Sequence, residues 1–152
     1  MFTHHVRTFW PNMLECQSQR GTVRAYLEGL RDTAAMPGAT EHTYREPLVR
    51  FLRAAAEDLG LGQIQVHGEL RLADVGQPDL QVVNADGAAI GYGETKVPGT
   101  ATDFERVLES EQVARYRASI DNLLVTDFLR FTLFRPEVGR LQATSIAPPL
   151  IG

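Results

Sequence analysis

Near residue 60 the spacing of apolar residues drops from about four to two, and that change constrains the fold more than anything else in the chain. Upstream, Val23, Tyr26, Leu27 and Leu30 recur at helical spacing until Pro37-Gly38, which predicts a helix over 22–35. Tyr44, Leu48, Phe51, Leu52, Ala55 and Leu59 form a second helical stripe over 41–59. Thr40 is the expected N-cap and Gly60 the stop. Downstream, Ile64, Val66, Gly68, Leu70 and Leu72 alternate with Gln65, His67, Glu69 and Arg71, the pattern of a strand with two unlike faces.

The alternating half continues. Residues 78–83 read as a second strand and 88–97 as a third, joined by Asn84-Ala85-Asp86-Gly87, residues that tolerate positive φ. A third helix is expected over 103–120, with Thr102 as its cap and Glu105 in its first turn. Two further strands follow over 122–126 and 129–135. The order α-α-β-β-β-α-β-β describes a single α/β domain with a central mixed β-sheet flanked by helices. Residues 1–21 read as an N-terminal arm without a clear period, and 141–152 as a loose C-terminal tail. The arm has no basic cluster followed by an apolar stretch, so it is not expected to be a signal peptide. No apolar run approaches the roughly 18 residues a membrane helix requires, and the expected location is cytoplasmic.

Composition narrows the chemistry. Cys16 is the only cysteine, which excludes an internal disulfide framework and a cysteine-based zinc cluster. Of the 15 basic residues, 14 are arginine and one, Lys96, is lysine. The net charge of −4 argues against a general polyanion binder, though a local basic groove remains compatible with it.

The lone lysine lies in the richest constellation. Pro78-Asp79 opens the second strand and Glu94-Thr95-Lys96 closes the third. The two strands form a hairpin, so the Asp79 and Glu94 carboxylates can converge, while Glu94 and Lys96 share a face and Thr95 points to the other. Magnesium takes octahedral oxygen ligands and usually one or two carboxylates. Asp79, Glu94 and the Thr95 backbone carbonyl would supply such a partial shell, leaving positions for water and a phosphate oxygen. Lys96 would orient the water or stabilise developing charge. The plain alternative is an exposed Glu94–Lys96 ion pair of little energetic weight on a structural domain.

Two helical signals add to the hairpin. Glu41 falls on the buried stripe of its helix, three residues before Tyr44 and seven before Leu48, although a first-turn glutamate is also favoured by the helix dipole. Glu46 is its rival, on the other side with Val49, Arg50 and Arg53. Phe104, Leu108, Gln112, Tyr116 and Ile120 step by four along the third helix, so Gln112 is expected to face inward and to need partners there.

In order and spacing, Glu41, Pro78-Asp79, Glu94-Thr95-Lys96 and Gln112-x-x-x-Tyr116 resemble the PD-(D/E)XK nuclease superfamily, with the trailing Gln-x-x-x-Tyr of its RecB-like branch. Thr40-Glu41-His42-Thr43-Tyr44-Arg45 and Asn122-Leu123-Leu124-Val125-Thr126-Asp127 are similar to segments of the nuclease module at the N-terminus of fused restriction–modification enzymes. The resemblance covers roughly residues 22–140. It implies a restriction-endonuclease-like core and magnesium-dependent cleavage of DNA, with manganese as a possible substitute. It implies that Asp79 and Glu94 bind the metal, that Lys96 is the catalytic lysine, and that Glu41 supports the metal through water. Gln112 and Tyr116 would shape the site or touch substrate. In those fused enzymes a methyltransferase and a target-recognition region follow, and 152 residues have no room for either. A recognition partner, or a homodimer, is therefore an expectation. So is the alternative of a nuclease-fold module that binds or assembles without cutting alone.

Arginines for phosphate contact are available on the second helix (Arg45, Arg50, Arg53), on the third (Arg106, Arg115, Arg117) and near the end (Arg130, Arg135, Arg140). Arg115 and Arg117 flank the Gln112–Tyr116 stripe and are the preferred candidates; ion pairing with Glu57, Glu105, Glu109 and Glu111 is the plain reading of most others. Other motifs fall away. Gly91-Tyr92-Gly93-Glu94-Thr95-Lys96 lacks the phosphate-loop pattern and precedes Val97-Pro98 instead of a helix. His4, His5, His42 and His67 have no ligand spacing, and Ser110, Ser119 and Ser145 lack a Gly-x-Ser-x-Gly context.

Overall fold

In the computed structural model the chain is described over residues 20–69, 71–98, 103–135 and 139–143, with the backbone alone for Arg20 and 139–143. Helices α1, Arg20–Ala34, and α2, Glu41–Asp58, come first. Thr40 precedes α2 in extended conformation, and its N–H donates to Thr43 Oγ1 at 3.1 Å. Pro47 lies inside α2, buried against Gly29 of α1, where an added Cβ would stand only 3.2 Å from the proline Cβ. The small residue lets the two helices approach closely at the point where the proline has no N–H to donate.

Strands β1 Gln65–Gly68, β2 Leu80–Val83 and β3 Ala89–Thr95 form an antiparallel meander. Helices α3 Phe104–Leu108 and α4 Glu111–Ser119 then cross to β4, Leu123–Thr126, which pairs parallel with β3. Strands β5 Phe131–Arg135 and β6 Gly139–Ala143 continue antiparallel. The six strands stand in sequence order in one mixed sheet.

Each face of the sheet has its own core. Tyr26, Leu30, Leu48, Phe51 and Leu52 of α1 and α2 pack on Leu80, Val82, Ile90, Leu124 and Leu133. Phe104, Leu108, Val113 and Tyr116 of α3 and α4 pack on Leu123, Val125 and Phe134. Strand β4 is buried at every position, as expected of a strand covered on both faces. A bulge in β3 decides which of its side chains enter which core. Val82 pairs with Gly91 and Val83 with Ala89, so Ile90 is the extra residue. Ile90 joins the α1–α2 core while Tyr92 packs with the α3–α4 core. Beyond the bulge, Tyr92, Glu94 and Lys96 follow one face and Gly93 and Thr95 the other.

The expected α/β layering is present, with four local differences. The third helix is two helices, because Ser110 caps a new start by accepting from Val113 N at 3.3 Å. The first strand stops at Gly68, where Glu69 turns to φ 52 and the chain enters a loop. A sixth strand runs along β5 as far as Ala143, so 141–143, expected to be loose, is paired backbone. The bounds of the remaining strands contract by one or two residues at their ends. The expected cap Thr102, the rest of the tail and residues 1–19 of the arm lie outside the described residues.

The loop before β2 rests on α4. Leu72 bridges to Gly76, which has φ 124, and a Cβ there would come within 3.1 Å of the Tyr116 ring. Gly76→Ala therefore meets both a backbone region that L-residues avoid and a fully packed ring. The expected loss is on the order of 1–3 kcal/mol, read as a lowered urea unfolding midpoint at unchanged slope. An unchanged midpoint would show that the loop yields freely.

Candidate active site

Asp79 lies one residue before β2, opposite Glu94 when the Leu80–Gly93 register is continued by one step. It acts as a cap for the hairpin's open end. Its Oδ2 accepts the Thr95 backbone N–H at 2.7 Å and the Thr95 hydroxyl at 2.9 Å. An extended residue directs its N–H and C=O toward the same neighbouring strand. The Thr95 carbonyl therefore faces the β2 side as well.

Two polar groups meet here, one on each face of β3. On the α2 side, the Thr95 hydroxyl donates to Glu41 Oε1 at 2.9 Å as well as to Asp79, a shared proton. Arg45, one helical turn after Glu41, places Nη2 2.7 Å from Glu41 Oε1 and 2.6 Å from Asp79 Oδ1. Its Nε donates to Thr95 Oγ1 at 3.1 Å, and its Nη1 reaches Glu69 Oε1 at 3.4 Å. On the α4 side, Lys96 Nζ donates to Glu94 Oε1 at 2.7 Å and to Gln112 Oε1 at 3.3 Å. Gln112 Nε2 in turn donates to the Tyr116 hydroxyl at 3.3 Å.

The charges are unequally exposed. The Glu94 side chain is 3% exposed and the Lys96 side chain 28%. Glu94 is thus no surface ornament, and its second oxygen, Oε2, is buried without a hydrogen-bond partner. Burial is the main cause of a Glu94 carboxyl held above its ordinary range. The hydrogen bond from Lys96 opposes the rise, and the charges of Asp79 and Glu41 add to it.

Asp79, Glu94, Thr95, Lys96, Glu41, Gln112 and Tyr116 therefore gather around the end of β3. Glu46 does not: it is exposed and lies 3.9 Å from Arg50 one turn on. Arg115 is 6.0 Å over the Tyr116 ring and Arg117 4.3 Å over Phe134, both exposed on α4. Arg130, a candidate phosphate contact, is paired with buried Asp127 at 2.8 Å and stacked 4.5 Å over Phe104.

Arg45 is the site residue that the sequence offers only as one of three second-helix arginines for phosphate contact. Its side chain is only 12% exposed, against 66% for Arg50. The available signal was its position four residues after Glu41, which puts both on one side of α2.

The donor set suits a hard divalent cation. Asp79, Glu94 and a backbone carbonyl offer oxygen ligands, and Glu94 Oε2 is a buried acceptor with no protein partner. Among the described residues, however, no three His, Cys, Asp or Glu side chains stand grouped as a ready metal cage. Arg45 is interposed between Glu41 and Asp79, and the oxygen it binds on each faces a guanidinium.

No protein-family model matches the chain, and no curated protein matches it. A solved structure does: the cryo-EM structure of a DrdV–DNA complex, with a TM-score of 0.57 and 21% identity. The match covers 83% of this chain but 12% of that one, so the chain spans a small part of the length of the protein it resembles. At that identity the likeness is one of fold. With the mixed sheet and its flanking helices, it gives the chain an α/β fold with a restriction-endonuclease-like core.

Proposed function

We propose that the domain is a magnesium-dependent DNA endonuclease of restriction type, with Asp79, Glu94 and Lys96 at its centre. The observation that carries this reading is Glu94: a carboxylate held buried beside Asp79, one oxygen on Lys96 and the other without a protein partner. Proteins seldom keep such a charge without a use for it. The match to a structure of a DNA complex supports DNA as the substrate.

In this reading Asp79, Glu94 and the Thr95 carbonyl hold the ion, with Glu41 behind them. A bound magnesium ion would supply a more acidic water and neutralise charge on the phosphate. Lys96 holds an ammonium at the exposed edge of Glu94, where it can direct a water or a phosphate oxygen. Gln112 fixes the lysine, and Tyr116, 1% exposed, fixes Gln112 without reaching substrate itself. Arg115 and Arg117, exposed on α4, are the proposed backbone contacts.

Two measurements test this. Plasmid nicking with magnesium should fall by on the order of a hundredfold or more in Asp79→Asn and Lys96→Ala protein, the scale of losing a group used in the transition state. The exposed Glu46→Gln should cut normally, and undiminished cutting by Asp79→Asn would end the site assignment. The second concerns stability. A folded-state pKa raised above the unfolded value makes a contribution that is present at low pH and is lost as pH rises through the raised value. Ionised Glu94 therefore destabilises the fold at neutral pH. Glu94→Gln should be inactive yet melt higher than the parent at pH 7–8, with the gap closing below the ordinary glutamate pKa. Equal or lower melting across that range would contradict a destabilising, buried charge at Glu94.

A further inference from the structure

Arg45 is in an unusual place for a cation if the neighbouring acids serve another one. Its guanidinium touches Glu41, Asp79 and Thr95, and its own side chain is 12% exposed. Both oxygens of Asp79 are engaged, Oδ1 by Arg45 and Oδ2 by Thr95. The acceptor left over is Glu94 Oε2, on a side chain that belongs with Lys96 and Gln112 on the α4 face of β3. A dication held by Asp79 and Glu94 would meet a carboxylate whose charge the guanidinium already balances, and like charges at such range repel strongly in a partly buried setting.

The guanidinium also has somewhere to go. Glu69, 52% exposed, accepts from Nη1 at 3.4 Å, and His42, 68% exposed, lies beside both. A guanidinium that left Asp79 Oδ1 would still have the Glu69 carboxylate as a partner.

We propose that Arg45 is an internal counter-cation that weakens divalent-ion binding at the Asp79–Glu94 site and leaves Asp79 Oδ1 when the ion binds. This rests on the reading that Asp79 and Glu94 hold the ion. It assigns Arg45 a role opposite to that of a prop: a residue that merely aimed the carboxylates would strengthen metal binding, whereas a competing charge lowers it.

Calorimetric titration of the full chain with manganese, without DNA, separates these roles. Removing one positive charge at contact distance should tighten binding by Arg45→Gln about tenfold or more over the parent. Asp79→Asn should abolish the heat in either background. Binding that depends on Asp79 but is equal or weaker in Arg45→Gln overturns the counter-cation and leaves the metal site standing. Heat that is absent from both proteins, or indifferent to Asp79, overturns both. A measurement on the parent chain covers the case in which Arg45→Gln fails to fold. The Arg45 Nε–H resonance, identified by its absence from Arg45→Lys protein, should shift on magnesium addition in the parent and not in Asp79→Asn. A resonance that stays in place as magnesium is added overturns the proposal.

Discussion

The bond from the Thr95 backbone N–H to the Asp79 carboxylate is the constraint on which the site depends. At the open end of the β2–β3 hairpin the ladder has no further residue to offer that N–H, and a buried donor needs an acceptor. Supplying it from a side chain fixes the Asp79 carboxylate against β3. That brings it opposite Glu94 and within reach of α2 on the other face. The Thr95 hydroxyl repeats the contact and extends it to Glu41. One extended residue, fully buried, thereby ties together a strand end, a helix start and the acid cluster.

The division of the two faces depends on the bulge at Ile90. Had β3 kept strict alternation through Ile90, the side chains on the Ile90 face would include Glu94, and its carboxylate would enter the apolar core under α1 and α2. The extra residue reverses the faces, so the apolar Ile90 enters that core and Glu94 turns toward Gln112 and Lys96. Gly93, on the Thr95 face, is tightly placed: a Cβ would stand 3.3 Å from the Leu80 Cβ, so the leucine would have to give by a few tenths of an ångström.

Much of this was legible from residue spacing, and the parts that were not share a cause. Period two placed Glu94 and Lys96 together with Thr95 opposite, because beyond a bulge alternation still holds locally. Helical spacing placed Glu41 on the inner side of α2, where its partners are polar. Spacing could not show that Arg45 turns inward, since an arginine beside two others on a helix looks the same whether it meets solvent or a carboxylate. Nor could it show the break at Ser110, because the steps of four through Leu108, Gln112 and Tyr116 run across it unchanged; only the capping serine marks the new start. The sixth strand was hidden for the opposite reason. Its backbone is ordered by pairing with β5, a tertiary effect that a short run with one strong apolar residue does not announce.

The two faces of β3 also divide the electrostatic work. On one side Lys96 balances Glu94 from the solvent edge, while on the other Arg45 balances Glu41 and Asp79 from within. A cluster of three carboxylates with no cations would be strongly self-repelling in a half-buried setting. Two cations of different kinds remove that difficulty differently. The guanidinium is planar and can face two carboxylates and a hydroxyl at once, which suits balancing their charge from one position. The ammonium is a compact charge on a flexible stem, and it meets Glu94 and Gln112 from the solvent edge. In a chain with 14 arginines, the single lysine stands beside the buried carboxylate of this site.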